Sequence, residues 1–343
     1  MRRAVAPALL AVLVGGALVA ACTGTDSHAV DADGAPRSST TSTSTSTTTT
    51  VPPPPVAEVA AWKLPAPLSR TACAVDGSTV RCFSGLNSAK TSTPNILTID
   101  PGAGTAAVTG HLTTAVHDAA GAQVGARALL IGGGAHEDGT NAVVDVVTAP
   151  PSRVGSLPEP RSDVSAIVAD GRLVVLGGYD GTVITPGVLT SADGATFTRI
   201  GDLATPVRYG AVAAVGGTVY VFGGKTREAG HDSQTADIQA VDVASGRVAV
   251  VGRLPQAMGH MVAAVLDGQV YAMGGRSGVG VQLTDSAAIW RFDPRTGAVV
   301  QVGALPSPVS DSTVAVVGST AYLVGGERSG TPLSQVVAVH PAP

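Results

Sequence analysis

Six residues of this chain with chemistry to offer recur at one place in a repeating pattern. Counting back equally from each hairpin turn reaches Arg70, Asp118, Asp163, Tyr209, His260 and Asp311. Carboxylates and an imidazole can take and return protons, a guanidinium can hold a carboxylate, and a phenol can donate or accept. His117, Arg161 and Arg208 are their neighbours. Equivalent positions of stacked repeats project into shared space, so these groups are expected to converge at one funnel mouth that suits a polar small molecule or a peptide tip. The alternative is that they line a wet channel, where solvated polar groups need no ligand.

The elements that must carry them are short and repetitive. Residues 211–224 read as an apolar strand, a Gly-Gly turn, and a second apolar strand closing on Gly223-Gly224. The phrase returns at 166–178, 262–275 and 314–326, and more loosely at 119–133 and 72–85, the last ending in Ser84-Gly85. The closing glycines are 45 to 51 residues apart, the spacing of propeller blades. A third strand (287–292) and a fourth (298–302) complete the unit, so each repeat reads as a four-stranded antiparallel sheet. The sixth repeat stops after its third strand, 336–339, while a spare strand at 57–63 precedes the first. Pairing the two closes the ring and removes a half-built edge. The expected fold is all-β: a six-bladed propeller of four-stranded antiparallel blades over 56–343, closed by an N-terminal strand.

The Gly-Gly pairs beginning at Gly132, Gly177, Gly223, Gly274 and Gly325, the tyrosines three residues earlier (Tyr220, Tyr271, Tyr322), and the linkers Leu157-Pro158, Leu254-Pro255 and Leu305-Pro306 resemble kelch-repeat β-propellers, including the galactose-oxidase-like branch. The resemblance covers essentially 57–343. It departs at the tryptophan usual in the fourth strand, which only Trp62 supplies, and at Leu112 and Leu203, which lack the following proline. The resemblance implies a binding module or, as in some kelch-like propellers, a sugar epimerase or oxidase. Copper-radical chemistry would need a tyrosine joined to a cysteine, and no such ligand set carries over.

Ahead of the repeats, residues 1–21 pair Arg2 and Arg3 with an apolar run, an export signal to be set aside from the fold. Val19-Ala20-Ala21-Cys22 resembles the bacterial lipobox, which would make Cys22 a lipidated N-terminus; a plain signal peptide cut nearby is the alternative. Residues 22–55 collapse to Ser, Thr and Pro, a disordered tether ending in Pro52-Pro53-Pro54-Pro55. The expected location is extracytoplasmic, on the outer face of the cell membrane, with the lipid anchor as the only membrane contact. A formal charge of -4 and no basic cluster argue against nucleic acid as a partner.

Cys73 and Cys82 flank Asp76-Gly77-Ser78. With Gly77-Ser78 as the loop they face each other and suit a disulfide in an exported protein; with Asp76-Gly77 as the turn the register shifts and leaves two buried thiols. The loops after the glycine pairs, including His136-Glu137-Asp138, His231-Asp232 and the stretches 225–237 and 276–285, differ strongly and form a second candidate surface. No metal-ligand spacing or cofactor motif appears. Gly223-Gly224-Lys225-Thr226 lacks the upstream glycine of a phosphate loop, 191–197 only faintly resembles a sialidase Asp-box, and no Gly-x-Ser-x-Gly elbow exists. The expectation is a monomeric binding module for a protein or a cell-envelope glycan, without a catalytic set or cofactor. The alternative is a carbohydrate-acting enzyme using Asp118, Asp163 or His260 as acid or base.

Overall fold

The structure, a computed structural model, describes residues 52–134, 139–228, 230–278, 280 and 282–342. The leader, Cys22, the tether up to residue 51, and His136, Glu137 and Asp138 lie outside the described residues. Among the described residues there is no helix, and so none long and apolar enough to cross a membrane.

Two-residue turns generate the hairpins. In blade one, Ala72–Asp76 pairs with Thr79–Phe83, and Asp76 opposite Thr79 leaves Gly77 and Ser78 as the loop. Gly77 has φ +60°, the left-handed conformation that matches the twist of the flanking strands. This register sets Cys73 directly opposite Cys82, with Cα atoms 4.1 Å apart and the sulfurs joined as a disulfide. Asn95–Asp100 and Thr105–His111 complete the blade.

The same antiparallel order repeats. Blade two is built from Ala120–Val124, Arg127–Ile131, Ala142–Asp145 and Ser152–Ser156. Blade three uses Ser165–Ala169, Arg172–Leu176, Gly187–Ser191 and Thr198–Asp202. Ala211–Val215, Thr218–Phe222, Asp237–Asp242 and Val248–Arg253 form blade four. Blade five consists of Met258–Leu266, Gln269–Ser277, Ala288–Phe292 and Val299–Ala304. Each inner strand packs on the next, and the sixth returns to the first, so the circle is closed.

Closure uses the N-terminal strand. Blade six runs Thr313–Val317, Thr320–Val324, Thr331–His340 and then Val56–Leu68, with Val56 opposite His340 and Leu68 opposite Leu333. The closing strand is longer than the 57–63 expected. It continues through Leu64, with register shifts on both sides of Lys63, where Pro65 and Pro67 remove ladder donors.

The core lies between blades, one apolar cluster per joint. Tyr220 and Phe222 of blade four meet Phe292 of blade five edge-on, at 5.2 and 5.4 Å between ring centroids. At the closing joint Leu64 and Leu68 pack with Cys82, Ile99 and Val336. Burying one such aliphatic side chain contributes roughly 1.5–3 kcal/mol, so the ring is held by its six seams.

At the joints of blades two and three, three and four, and four and five, the fourth strand of one blade passes close under a turn of the next, at Gly155, Gly201 and Gly252. A Cβ built at Gly252 would stand 2.6 Å from the carbonyl of Gly297 in the turn of blade five. Blade six has no such turn, because its fourth strand comes from the other end of the chain. Pro52 to Pro55 occupy the corresponding place: the Pro55 carbonyl lies by Gly303, and Arg291 Nη1 donates to the Pro52 carbonyl at 3.1 Å. Pro55 is buried there, while Pro52, Pro53 and Pro54 remain exposed and are held to blade five through the Pro52 carbonyl.

Candidate functional site

The repeated glycines determine how the chain reaches the axis. In blade five Gly274 has φ +64° and Gly275 +95°, and the Gly275 N–H donates to Val309 O of the incoming linker at 2.8 Å. A Cβ at Gly274 would lie 2.6 Å from that same carbonyl, so the approach requires glycine. Blade one shows the cost of an exception. Ser84 takes the first glycine's place at φ +63°, and its hydroxyl bonds the Val116 carbonyl it would otherwise crowd.

The linker then turns sharply at one residue per blade. Arg70, Asp118, Asp163, Tyr209, His260 and Asp311 all have φ between 52° and 58°. Each N–H donates to the carbonyl of its counterpart in the preceding blade: Asp118 to Arg70, Asp163 to Asp118, Tyr209 to Asp163, His260 to Tyr209, Asp311 to His260, and Arg70 to Asp311, at 2.8–3.3 Å. Six left-handed residues and six hydrogen bonds thus form a closed collar about the axis. Holding a side chain there costs of order 1–3 kcal/mol per residue, and no glycine relieves it at any of the six positions. A residue whose side chain is kept at such a cost is a candidate for function.

The side chains of the collar are knitted together. Arg70 reaches Asp118 at 3.2 Å, Tyr209 Oη at 3.3 Å and Glu327 at 3.2 Å, while Tyr209 Oη donates to Asp118 at 3.1 Å. Arg208 holds Asp163 at 3.0 Å and Asp232 at 3.1 Å, its guanidinium lying near the rings of Tyr179 and Tyr209. His260 Nδ1 is 2.6 Å from Asp311, and the imidazole stacks on Tyr209 with centroids 4.0 Å apart. Arg276 spans Asp285 at 2.8 Å, Asp311 at 3.4 Å and Glu327 at 3.4 Å.

Burial makes these partnerships consequential. Only 1% of the Asp311 side chain and 3% of Glu327 is exposed. Burial acts to raise the Asp311 pKa, but the His260 ring and the guanidinium groups of Arg70 and Arg276 outweigh it and hold the carboxyl well below its ordinary range. Asp118 goes the other way: burial and the nearby Asp163 push it well above the carboxylate range against the opposition of Arg70. Burial, then Asp118 and Asp163, likewise raises the Tyr209 phenol. Opposite shifts around one collar arise because Asp311 has more than one cation at hand and Asp118 has a competing carboxylate.

Above the collar, on the side of the glycine-pair loops, opens a funnel of about 520 Å³ lined by Arg70, Asp118, Asp163, Arg208 and Tyr209 among others. Below it runs a channel of about 530 Å³ walled mainly by alanines and valines of the inner strands. The funnel has the more charged and aromatic lining, although the collar residues border the channel as well.

All six expected ring residues are brought together in the collar. Arg70, Asp118, Asp163 and Tyr209 line the funnel with Arg208 and with His117, which stands beside Asp118 at 3.7 Å, whereas His260 and Asp311 line the channel below. Arg161, read as a neighbour of the mouth, is not part of it. It is fully buried and caps the carbonyls of Gly177 and Gly187 at 3.1 and 2.7 Å, with Glu159 on its outer side. Glu327 was missed, and Arg276 and Asp285 were legible only as members of a variable loop. The signal was available. The residue after each glycine pair bridges back to the collar linker, as Lys225 does to Arg208, Arg276 to Gly259 and Glu327 to Ser310. Among the described residues no group of three or more His, Cys, Asp or Glu is arranged to hold a metal.

Residues 257–306 match a family model described as the Kelch motif. That stretch covers blade five and its exit linker, where Tyr271, Gly274-Gly275 and Leu305-Pro306 occur together. The solved structure of YjhT is also similar, with a TM-score of 0.67 at 16% identity over 81% of this chain and 94% of that one. At that identity the likeness speaks to the propeller fold. No curated protein matches the sequence. The Kelch motif and the collar describe one repeat from two ends: the glycine pair places the linker, and the linker presents the side chain.

Proposed function

We propose that this protein is a lipid-anchored extracytoplasmic propeller that binds a polar ligand, or the tip of a protein partner, in the funnel above its collar. The observation that carries the reading is the pairing inside the funnel. Asp118 with Arg70 and Asp163 with Arg208 are mutually satisfied, so the charges are stored in fixed positions and not left free for chemistry. A preorganised polar mouth on a rigid scaffold is suited to recognition. The lipid anchor and location rest on Val19-Ala20-Ala21-Cys22 and the Ser/Thr/Pro tether, and a half-cystine pair in blade one is compatible with an oxidising compartment.

A thermal-shift screen of the mature chain against sugars, cell-wall fragments and short peptides tests the reading. A ligand that binds the native state raises the melting temperature by mass action. Binding that survives loss of the funnel's side chains would move the site to the outer loops.

The second reading, an enzyme acting on carbohydrate, draws support from His260 and Asp311. A carboxylate 2.6 Å from Nδ1 orients the ring for proton transfer. Turnover of a sugar that is abolished by His260→Gln, with the fold intact, would establish it.

A further inference from the structure

We propose that the funnel selects its ligand by an anionic group, a carboxylate or a phosphate, received by Lys90 and Arg227 at its rim. This rests on the reading of the funnel as the binding site and adds the chemistry of what enters.

Charge bookkeeping inside the funnel leads there. Its lining carries Arg70, Lys90, Arg208 and Arg227 against Asp118, Asp163 and Asp232, and Arg70 also serves the buried Glu327 and Asp311, so the cations left over are the two at the rim. The carboxylates are already taken: Asp118 by Arg70, Asp163 by Arg208, and Asp232 by Arg208 and by Lys225 at 2.8 Å. Lys90 and Arg227 have no carboxylate partner among the described residues, and Arg227 Nε donates only to the Gly230 carbonyl at 3.1 Å.

Both cations stand on built loops. Lys90 has φ +57° in a turn organised by Asn87, whose Oδ1 accepts from the N–H groups of Ala89 and Thr91 at 2.9 and 3.2 Å. Arg227 lies on the hairpin of Lys225–Glu228 with His231–Gln234. Lys90 and Arg227 both line the funnel, one from the loops of blade one and the other from those of blade four, with Lys90 Nζ beside the Gly330 turn of blade six. A concave mouth with low-dielectric walls focuses that field toward an incoming anion.

The test uses the mature full chain at low ionic strength, titrated with succinate, inorganic phosphate and the uncharged isostere succinamide. Affinity is read by calorimetry, and the location of binding by the imidazole resonances of His117. Succinate or phosphate should bind and move His117, weaken as salt is added, and fall about fivefold to tenfold in affinity in the K90A/R227A double variant. The stronger of the two identifies the anion. Both substituted side chains are exposed, so an unchanged melting temperature confirms that the variant is folded. Succinamide binding as tightly as succinate, or full affinity retained in the double variant, would overturn anion selection while leaving a binding funnel. Absence of any His117 shift with all three probes would overturn the selection outright, and a ligand found in the broader screen would then keep the funnel reading alive.

Discussion

Replacing Glu327 by alanine should destabilise the propeller more than any other single change at the mouth. Its side chain is 3% exposed and accepts from Ser69 Oγ at 3.0 Å, Arg70 Nε at 3.2 Å and Arg276 Nη2 at 3.4 Å. Ser69 and Arg70 belong to the linker entering blade one and Glu327 to blade six, so the group also pins the seam where the ring closes. Breaking a buried ion pair on one side costs about 3–5 kcal/mol. The low end applies, because Arg70 keeps Asp118 and Arg276 keeps Asp285. A loss of about 3 kcal/mol corresponds to a fall of roughly 6–12 °C in melting temperature for a domain of this size. Glu327→Gln retains an acceptor for Ser69 and should lose about half as much. Urea denaturation followed by circular dichroism gives the free energies, and an R276M/E327A cycle isolates the pair. A melting temperature for Glu327→Ala within about 2 °C of the parent would refute the idea that the collar is electrostatically locked.

The disulfide closes a short hairpin loop, so the C73S/C82S double variant should lose about 2–3 kcal/mol in the same denaturation experiment. Asp118 and Asp311 should show opposite pH dependence. The raised Asp118 pKa means the folded state binds more protons above pH ~3.9, so its contribution to stability declines as pH rises through the window up to its folded value. Asp118→Asn should therefore gain relative stability between pH 4 and pH 7, read from melting curves. Asp311, held below its ordinary range, contributes stability that is present above pH ~3.9 and lost as pH falls through its folded value, so Asp311→Asn should be weakened most at neutral pH. Trimming Pro52 to Pro55 should cost about 1 kcal/mol and Arg291→Ala part of that, because both break the same contact on blade five.

Much of this architecture could be read from the sequence because it is written six times. A two-residue turn, a glycine pair and a fixed offset between them locate Arg70, Asp118, Asp163, Tyr209, His260 and Asp311 without any coordinates, and the collar hydrogen bonds show why the offset is constant. The register that pairs Cys73 with Cys82 is one of two that Asp76-Gly77-Ser78 permits, and the structure takes the one with Gly77-Ser78 as the loop. What could not be read was the partnering across blades. Arg161 and Arg208 look alike in the sequence, but one caps buried carbonyls while the other reaches a carboxylate in the funnel. Glu327 sits at an unremarkable position after a glycine pair and gains its importance from Ser69 and Arg70, more than 250 residues away in the chain. The reach of the closing strand to Leu68 was hidden by Pro65 and Pro67, whose missing donors mimic a strand end.

The central claim is that the funnel above the collar is where this protein meets its ligand. The most direct measurement is ligand-induced stabilisation in three proteins: the parent, the R208A/D163A double variant, and Arg199→Ala on the outer strand of blade three. Removing both members of the Arg208–Asp163 pair avoids leaving either one buried and uncompensated, since Asp232 keeps Lys225. Arg199 lies outside the funnel and pairs only with its neighbour Asp202. The account requires the ligand's thermal shift to persist in Arg199→Ala and to vanish in the double variant while both remain folded. An undiminished shift in the R208A/D163A protein would contradict it.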